Sequence, residues 1–403
     1  MVREVVIVDA VRTPIGRYKG GLKSVRPDDL GAIVVKALIE RNPQLNPIEI
    51  EEVIFGNANG AGEDNRNVAR MSALLAGLPV EVGGTTLNRL CGSGLDAVNY
   101  AARAIAVGEG DIFIAGGTES MTRAPFVSGK AESDYPRGNI TMYDTTIGWR
   151  FINPLLDEMY GTDSMPQTAE NVAEQFDISR EAQDTFAYKS QQKAKKAMGE
   201  GKFDDEIVPV TITDRKGNVK IIDKDEHPRP ETTLEKLGTL RPIFKNGTVT
   251  AGNASGVNDG ASALLIMSEE KANQLGLKPL VKYKASAIAG LDPRIMGIGP
   301  IFATRKALER AGLTVQDLDL VELNEAFASQ SLECIKQLEL EEEIVNVNGG
   351  AIAFGHPLGA SGARILTTLI YEMKRRNAQN GLATMCIGVG QGIATIVENI
   401  KVH

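Results

Sequence analysis

Arg89-Leu-Cys-Gly-Ser-Gly94 stands before one helical run, and Pro357-Leu-Gly-Ala-Ser-Gly362 stands before another. The two stretches are about 270 residues apart, a single long-range echo rather than the short period of a solenoid. Each is followed, about 20 residues on, by an apolar run that ends in glycines: Ile114-Ala-Gly-Gly117 after the first and Cys386-Ile-Gly-Val-Gly390 after the second. Two similar halves packed face to face would account for the pair. Chance recurrence of Gly-Ser-Gly turns accounts for it equally well at this level.

Around these stretches, short apolar runs alternate with amphipathic ones. Val5–Val8, Val53–Phe55, Ile112–Ala115, Leu264–Met267, Leu320–Leu323, Ile344–Val347 and Ile393–Val397 read as buried strands. Asp28-Asp29 offers a cap for a helix carrying Leu30, Ile33, Val34, Ala37 and Leu38 on one face. Ser179 offers another, for a helix that runs to Gly199 or Gly201. Strands alternating with helices predict an α/β protein with mostly parallel sheets. The division expected is an N-terminal half over 1–120, completed by about 250–275, an inserted loop domain over 121–249, and a C-terminal half over 276–403. The insertion is set apart by dense prolines and charges, as in Tyr135-Pro-Arg-Gly138 and His227-Pro-Arg-Pro230.

Composition narrows the function. The 403 residues are 42% hydrophobic and 24% charged, which are ordinary globular values. A net charge of −8 lacks the basic footprint of a nucleic-acid binder. Three scattered cysteines, Cys91, Cys334 and Cys386, suit free thiols in a reducing compartment better than a disulfide framework or a metal site. No apolar stretch is long enough for a transmembrane helix. The N-terminus lacks a signal-peptide pattern, and Lys401-Val402-His403 matches no targeting motif. A cytoplasmic protein without a membrane or nucleic-acid partner is expected.

Cys91 stands just before an apolar helical pattern, where the positive end of a helix lowers a thiol's pKa. Gly92 and Gly94 leave room for a substrate and for backbone N–H groups to face a developing oxyanion. A buried structural cysteine is the plainer alternative. Cys386 also ends an apolar run and opens onto glycines, whereas Cys334 lies within a helical pattern and is assigned to packing. The protein has three histidines: His403 is the last residue, His227 reads as part of a polar turn, and His356 lies in a loop crowded with glycine. Asn324-Glu325 follows a predicted strand, where α/β folds place ligand contacts, although Asn324 could equally cap a helix. Thr250–Gly260 is small and polar and, with Arg229, could meet a phosphate-bearing ligand; no Walker or dinucleotide fingerprint is present.

Taken together, Asn88–Gly94, Gly116–Met121, Thr250–Gly256, Asn324–Ala328, Gly349–Gly359 and Cys386–Gly390 resemble, in order, the motifs of the thiolases, which make or cleave 3-oxoacyl-CoA through an acyl-cysteine. The resemblance spans essentially the whole chain. It implies an α/β fold of two similar halves in a five-layer αβαβα sandwich with an inserted loop domain, in a homotetramer or homodimer. It implies an acyltransferase in which Cys91 is the nucleophile and His356 the base that activates it. Cys386 would be the second acid/base, and Asn324 would hold a water that forms one oxyanion hole with His356. The amides of Cys91 and Gly388 would form the other. Coenzyme A would be a co-substrate, with no tightly bound cofactor and no metal. Its contacts would be Arg229, Ser255 and Phe244, with Leu156, Met165, Ala326, Phe327 and Met296 as apolar neighbours.

Val389 departs from the glycine common at its position, Ser164 from a frequent histidine, and Lys236 occupies a variable site in the CoA loop. A narrower resemblance runs through Glu63–Met71, Asp144–Arg150, Gly161–Pro166 and Cys386–Gly392. These look like the thiolases that cleave 3-oxoadipyl-CoA to succinyl-CoA and acetyl-CoA in aromatic-compound degradation. An acetoacetyl-CoA thiolase or a general 3-ketoacyl-CoA thiolase is the alternative, and a non-catalytic acyl-CoA-binding protein is the reading from another class. A decarboxylating synthase normally needs a second active-site histidine, where this chain has a second cysteine. A dicarboxylate-derived acyl chain would need a cation for its far end, and Arg150 or Arg123 could provide it.

Overall fold

The computed structural model describes residues 3–400, so Lys401-Val402-His403 lies outside the described residues. Nine strands build the large sheet: β1 Val5–Arg12, β2 Glu52–Gly56, β3 Gly83–Leu87, β4 Ile112–Ser120, β5 Asn258–Ser268, β6 Val281–Gly290, β7 Leu320–Leu323, β8 Asn380–Ile387 and β9 Gln391–Asn399. They lie in the order β7-β8-β9-β6-β1-β5-β4-β2-β3, with the two-residue strand Gly16–Arg17 attached to β5. The principal helices are α1 Pro27–Arg41, α2 Val68–Leu75, α3 Ser93–Val107, α4 Met165–Gln175, α5 Arg180–Gly199, α6 Gly299–Ala311, α7 Ala328–Gln337 and α8 Leu358–Arg376.

Alternating side chains sort the apolar residues into layers. Along β5, Ala263, Leu265 and Met267 face α1 and α2 in one cluster. Leu264 and Ile266 point the other way, into a cluster with Leu95, Val98 and Ile105 of α3 and Ile365, Leu369 and Met373 of α8. The second half of the sheet meets the same two helices through Ala383, Met385 and Ile387 of β8. Its opposite face, with Leu382 and Ile396, packs on α6 and α7. The result is five layers, αβαβα, with α3 and α8 shared in the middle. This period-two sorting is the physical signature of strands buried on both faces.

The two half-sheets join at a narrow seam, where β1 meets β6 through Val6↔Lys282 and Ile7↔Val281. Between Ser120 and Asn258 the chain gives no strand to this sheet. That stretch carries α4, α5 and two small hairpins, Phe126–Val127 with Tyr143–Asp144 and Val210–Thr213 with Val219–Ile222.

Three sequence expectations are corrected. The sheet is mixed rather than mostly parallel: only β2/β3, β2/β4 and β7/β8 are parallel neighbours among these nine strands. Between β8 and β9 stands only Gly388-Val389-Gly390, too short for a crossover, so that pair is an antiparallel hairpin. Ile344–Val347 is not a strand. It begins at the end of a 3₁₀ turn, Glu342–Ile344, and makes a single bridge at Val345. Asp28-Asp29 do not cap α1: Arg26 is the cap residue and Pro27 takes the first helical position, where its missing N–H is no loss. Ser179 caps α5 as expected, accepting from the Ala182 N–H.

The two echoed turns meet in the middle layer. A Cβ on Gly94 would stand 2.6 Å from the Gly359 carbonyl oxygen, and one on Gly362 would stand 2.4 Å from the Leu95 nitrogen. Only hydrogen fits at either place, so the two helix starts touch backbone to backbone.

Candidate active site

Because α3 and α8 begin side by side, the loops that precede them open onto one cavity of about 1060 Å³. Cys91, His356, Cys386 and Gly388 all line it. Cys91 is half-buried, one residue ahead of Gly92, the cap of α3. Its turn is held by Asn88, whose Oδ1 accepts from the Leu90 N–H at 2.9 Å, and by Ser93, whose Oγ accepts from the Arg89 N–H at 2.8 Å. The backbone N–H groups of Gly388 and of Cys91 itself favour the Cys91 thiolate.

Two non-glycine residues beside the cysteines have left-handed backbone: Leu90 (φ 46°), directly before Cys91, and Val389 (φ 62°), directly after Gly388. For a β-branched valine this conformation is strained. The departure from glycine noted in the sequence is therefore accommodated at a conformational cost, with the backbone still turning as a glycine would.

His356 is buried. Its Nδ1 lies 2.6 Å from Ser361 Oγ, and that oxygen is 3.0 Å from the Pro357 carbonyl. Ser361 has one proton, so both bonds form together only if Ser361 donates to Pro357 and Nδ1–H donates to Ser361. Nε2 then carries the lone pair, and it has no protein partner. The His356 backbone N–H donates to Asn258 Oδ1 at 3.0 Å.

Burial, with Arg364 adding to it, lowers the imidazole pKa to about 3. Burial also pushes the Cys91 thiol up to about 11, against the two N–H groups, which pull it down; Glu119 adds to the rise. The lowered thiol expected from the helix start is thus overturned, because desolvation outweighs the helix end. At neutral pH the resting site holds a neutral thiol and a neutral imidazole. Alkylation of Cys91 by iodoacetamide, with no substrate present, is therefore expected to keep climbing with pH beyond about 9. A rate that levels off below neutrality would reveal a preformed thiolate instead.

Cys386 is the second-last residue of β8 and is buried with Met165, Met296, Ala326 and Phe327. Its thiol is raised well above the ordinary range by burial, and further by Cys91, and both cysteines line the one cavity. Asn324 is buried, with both side-chain polar atoms lacking a protein partner, and α7 starts later, at Ala328, so Asn324 caps no helix. It and His356 Nε2 are unsatisfied buried groups of the kind a water or substrate oxygen completes.

Of the residues expected near CoA, Arg229, Ser255, Met165, Ala326, Phe327 and Met296 line the cavity. Leu156 and Phe244 are half-buried and do not line it. Arg229 is exposed, Lys236 also lines the cavity, and the Ser255 N–H donates to the Ala326 carbonyl at 2.9 Å. Two cations beside small polar groups, with apolar walls further in, fit the phosphates and pantetheine arm of a CoA ester.

Sequence reasoning missed two residues. His227 is in the cavity wall rather than a surface turn; its Nδ1 is 3.2 Å from Asn258 Nδ2, and burial lowers its pKa to about 4. Glu119 also lines the cavity, accepting from the N–H groups of Ala58 at 2.8 Å and Gly359 at 2.9 Å, and burial raises it to about 7. A carboxylate closing an apolar run, Gly116-Gly-Thr-Glu, was the available signal.

A family model described as the thiolase N-terminal domain matches residues 5–270, and one described as the thiolase C-terminal domain matches 277–399. The chain is 60% identical over 401 residues to a 3-oxoadipyl-CoA/3-oxo-5,6-dehydrosuberyl-CoA thiolase of Escherichia coli (strain K12), covering 99% of this chain and 100% of that one. It is 59% identical over 397 residues to a beta-ketoadipyl-CoA thiolase of Acinetobacter baylyi, with 98% and 99% covered. The crystal structure of the Bacillus anthracis acetyl-CoA acetyltransferase superposes with a TM-score of 0.92 at 43% identity, with 99% of each chain covered.

Proposed function

The chain belongs to the thiolase family, and on that premise we propose that it cleaves 3-oxoadipyl-CoA with coenzyme A to succinyl-CoA and acetyl-CoA. The observation that carries the chemistry is that Cys91, His356, Cys386 and Gly388 line one cavity. The narrower substrate is supported by the two relatives named above, both of which are thiolases for this acyl class.

The mechanism follows from the resting protonation states. His356, neutral with Nε2 open, takes the Cys91 proton as the sulfur attacks the 3-keto carbon. Developing negative charge is met by fixed donors, the amides of Cys91 and Gly388 at one place and His356 with a water on Asn324 at the other. Carbon–carbon cleavage releases the enolate of acetyl-CoA, a poor leaving group until Cys386 protonates it. The acyl group stays on Cys91. A second CoA gives its thiol proton to Cys386 and takes the acyl group, Cys91 leaves as a thiolate and recovers its proton from His356, so kinetics are ping-pong and the reverse condensation uses the same groups. Burial raises the Cys386 thiol, which makes it a proton donor at neutral pH rather than a resting thiolate.

Arg229 and Lys236 would hold the nucleotide end of CoA. A homotetramer or homodimer in the cytoplasm is part of the same proposal; among the described residues no helix is long and apolar enough to cross a membrane.

A thiolysis panel tests the substrate. With acetoacetyl-CoA, a medium-chain 3-oxoacyl-CoA and 3-oxoadipyl-CoA, kcat/KM is expected to be highest for 3-oxoadipyl-CoA. Equal or higher values for the uncharged substrates would leave a thiolase of a different acyl preference, and product formation without added CoA would indicate a hydrolase.

A further inference from the structure

We propose that Arg150 is the specificity-determining residue that receives the free carboxylate at the far end of the acyl chain. This deepens, and rests on, the reading of the acyl substrate as a dicarboxylic acid derivative. A carboxylate entering a partly apolar cavity loses hydration and needs a charged donor to replace it.

Two arginines of the segment after β4 were candidates in the sequence, and the structure separates them. Arg123 is fully engaged: its Nε and Nη2 pair with Glu63, and its Nη1 donates to the Lys23 carbonyl at 3.2 Å. It does not line the cavity. Arg150 does line it and is half-buried. Its side-chain partner is a neutral amide, Asn59 Oδ1, 3.3 Å from Nη2. Among the described residues it forms no ion pair, which leaves Nε and Nη1 for an incoming acid.

Arg150 is also tied to the Cys91 end of the cavity. Asn59 follows Ala58, whose N–H donates to Glu119 and whose carbonyl accepts from Asn88 Nδ2 at 2.9 Å. Asn88 in turn fixes the Leu90 amide, next to Cys91. The loop that leads into Arg150 is held at two points: Thr145 Oγ1 donates to the Pro125 carbonyl at 2.6 Å, and Trp149 Nε1 donates to the Asp163 carbonyl at 3.2 Å. Ile147 and Trp149 line the same wall and suit the methylenes of an acyl chain. Arg229 and Lys236 belong to another segment, beside Ser255, so the cavity carries one cation apart from the pair suited to CoA phosphates.

The test compares thiolysis of 3-oxoadipyl-CoA and 3-oxohexanoyl-CoA, which differ in bearing a carboxylate or a methyl terminus. The readout is the ratio of their kcat/KM values in the wild type, Arg150→Gln and Arg150→Lys. The wild type is expected to favour the acid. Arg150→Gln should lower the ratio roughly 100-fold, chiefly through KM, and Arg150→Lys, which keeps the charge but loses the fork, roughly tenfold. A wild-type ratio near one would overturn the dicarboxylate reading and this assignment with it. A strong wild-type preference that survives in both variants, or a proportional fall on both substrates, would overturn the assignment of Arg150 alone.

Discussion

Replacing Cys91 with alanine is expected to abolish acyl-enzyme formation and to lower thiolysis by roughly 10⁵-fold or more, the scale seen when a covalent nucleophile is removed. The size follows from the arrangement. The donors around this sulfur act on a tetrahedral adduct that cannot form without it, so their contribution is lost together with the nucleophile. Alanine fits the half-buried site, and the α3 start is held by Asn88 and Ser93 rather than by the thiol, so the fold should be retained. Intact-protein mass spectrometry after mixing with acetyl-CoA or 3-oxoadipyl-CoA reads the acyl adduct directly. An adduct still present in the variant, or activity above about 1% of wild type, would place the nucleophile elsewhere.

Cys386→Ala is expected to divide the reaction. Acylation of Cys91 by an activated thioester needs no proton at the substrate α-carbon, so it should continue. Carbon–carbon cleavage needs that proton and should fall by roughly 10²–10⁴-fold, the usual reach of general acid–base catalysis. Single-turnover acylation beside steady-state cleavage of a 3-oxoacyl-CoA separates the two. If acylation fails as severely as cleavage, Cys386 acts by shaping the pocket, which its packing with Met296 and Phe327 makes the natural competing account.

The sequence made part of this site legible, and the reasons differ by residue. Cys91, His356 and Cys386 stand in glycine-rich turns next to apolar runs, and local pattern is enough to find such turns. His227 and Glu119 look like surface and strand-end polar residues, because their burial comes from segments far away in the chain. Asn258, which meets both His227 and the His356 amide, belongs to a small polar run whose partners no local rule reveals. The ionisation of Cys91 is hidden for a related reason: the helix start is visible in sequence, but the burial that opposes it is not.

The same distinction governs the fold. Six of the seven apolar runs read as strands lie in strands, and at Ile344–Val347 a similar pattern begins in a 3₁₀ turn; the strands Gly83–Leu87 and Val281–Gly290 are marked by none of these runs. Strand direction did not follow, because three residues between β8 and β9 and a narrow seam between β1 and β6 decide it. In the sequence Arg123 and Arg150 are interchangeable; in the structure Glu63 occupies the first.

The contact of Gly94 and Gly362 with the opposing main chain fixes more than packing. Here the two reactive loops are gauged against each other by peptide groups, with no intervening methyl to shrink, rotate or repack. Drift in the outer layers of either half can thus accumulate without changing the span between the reacting sulfur and the imidazole. A single added carbon at this crossing would shift both loops at once, which makes two of the smallest residues in the chain the ruler for its catalytic distance.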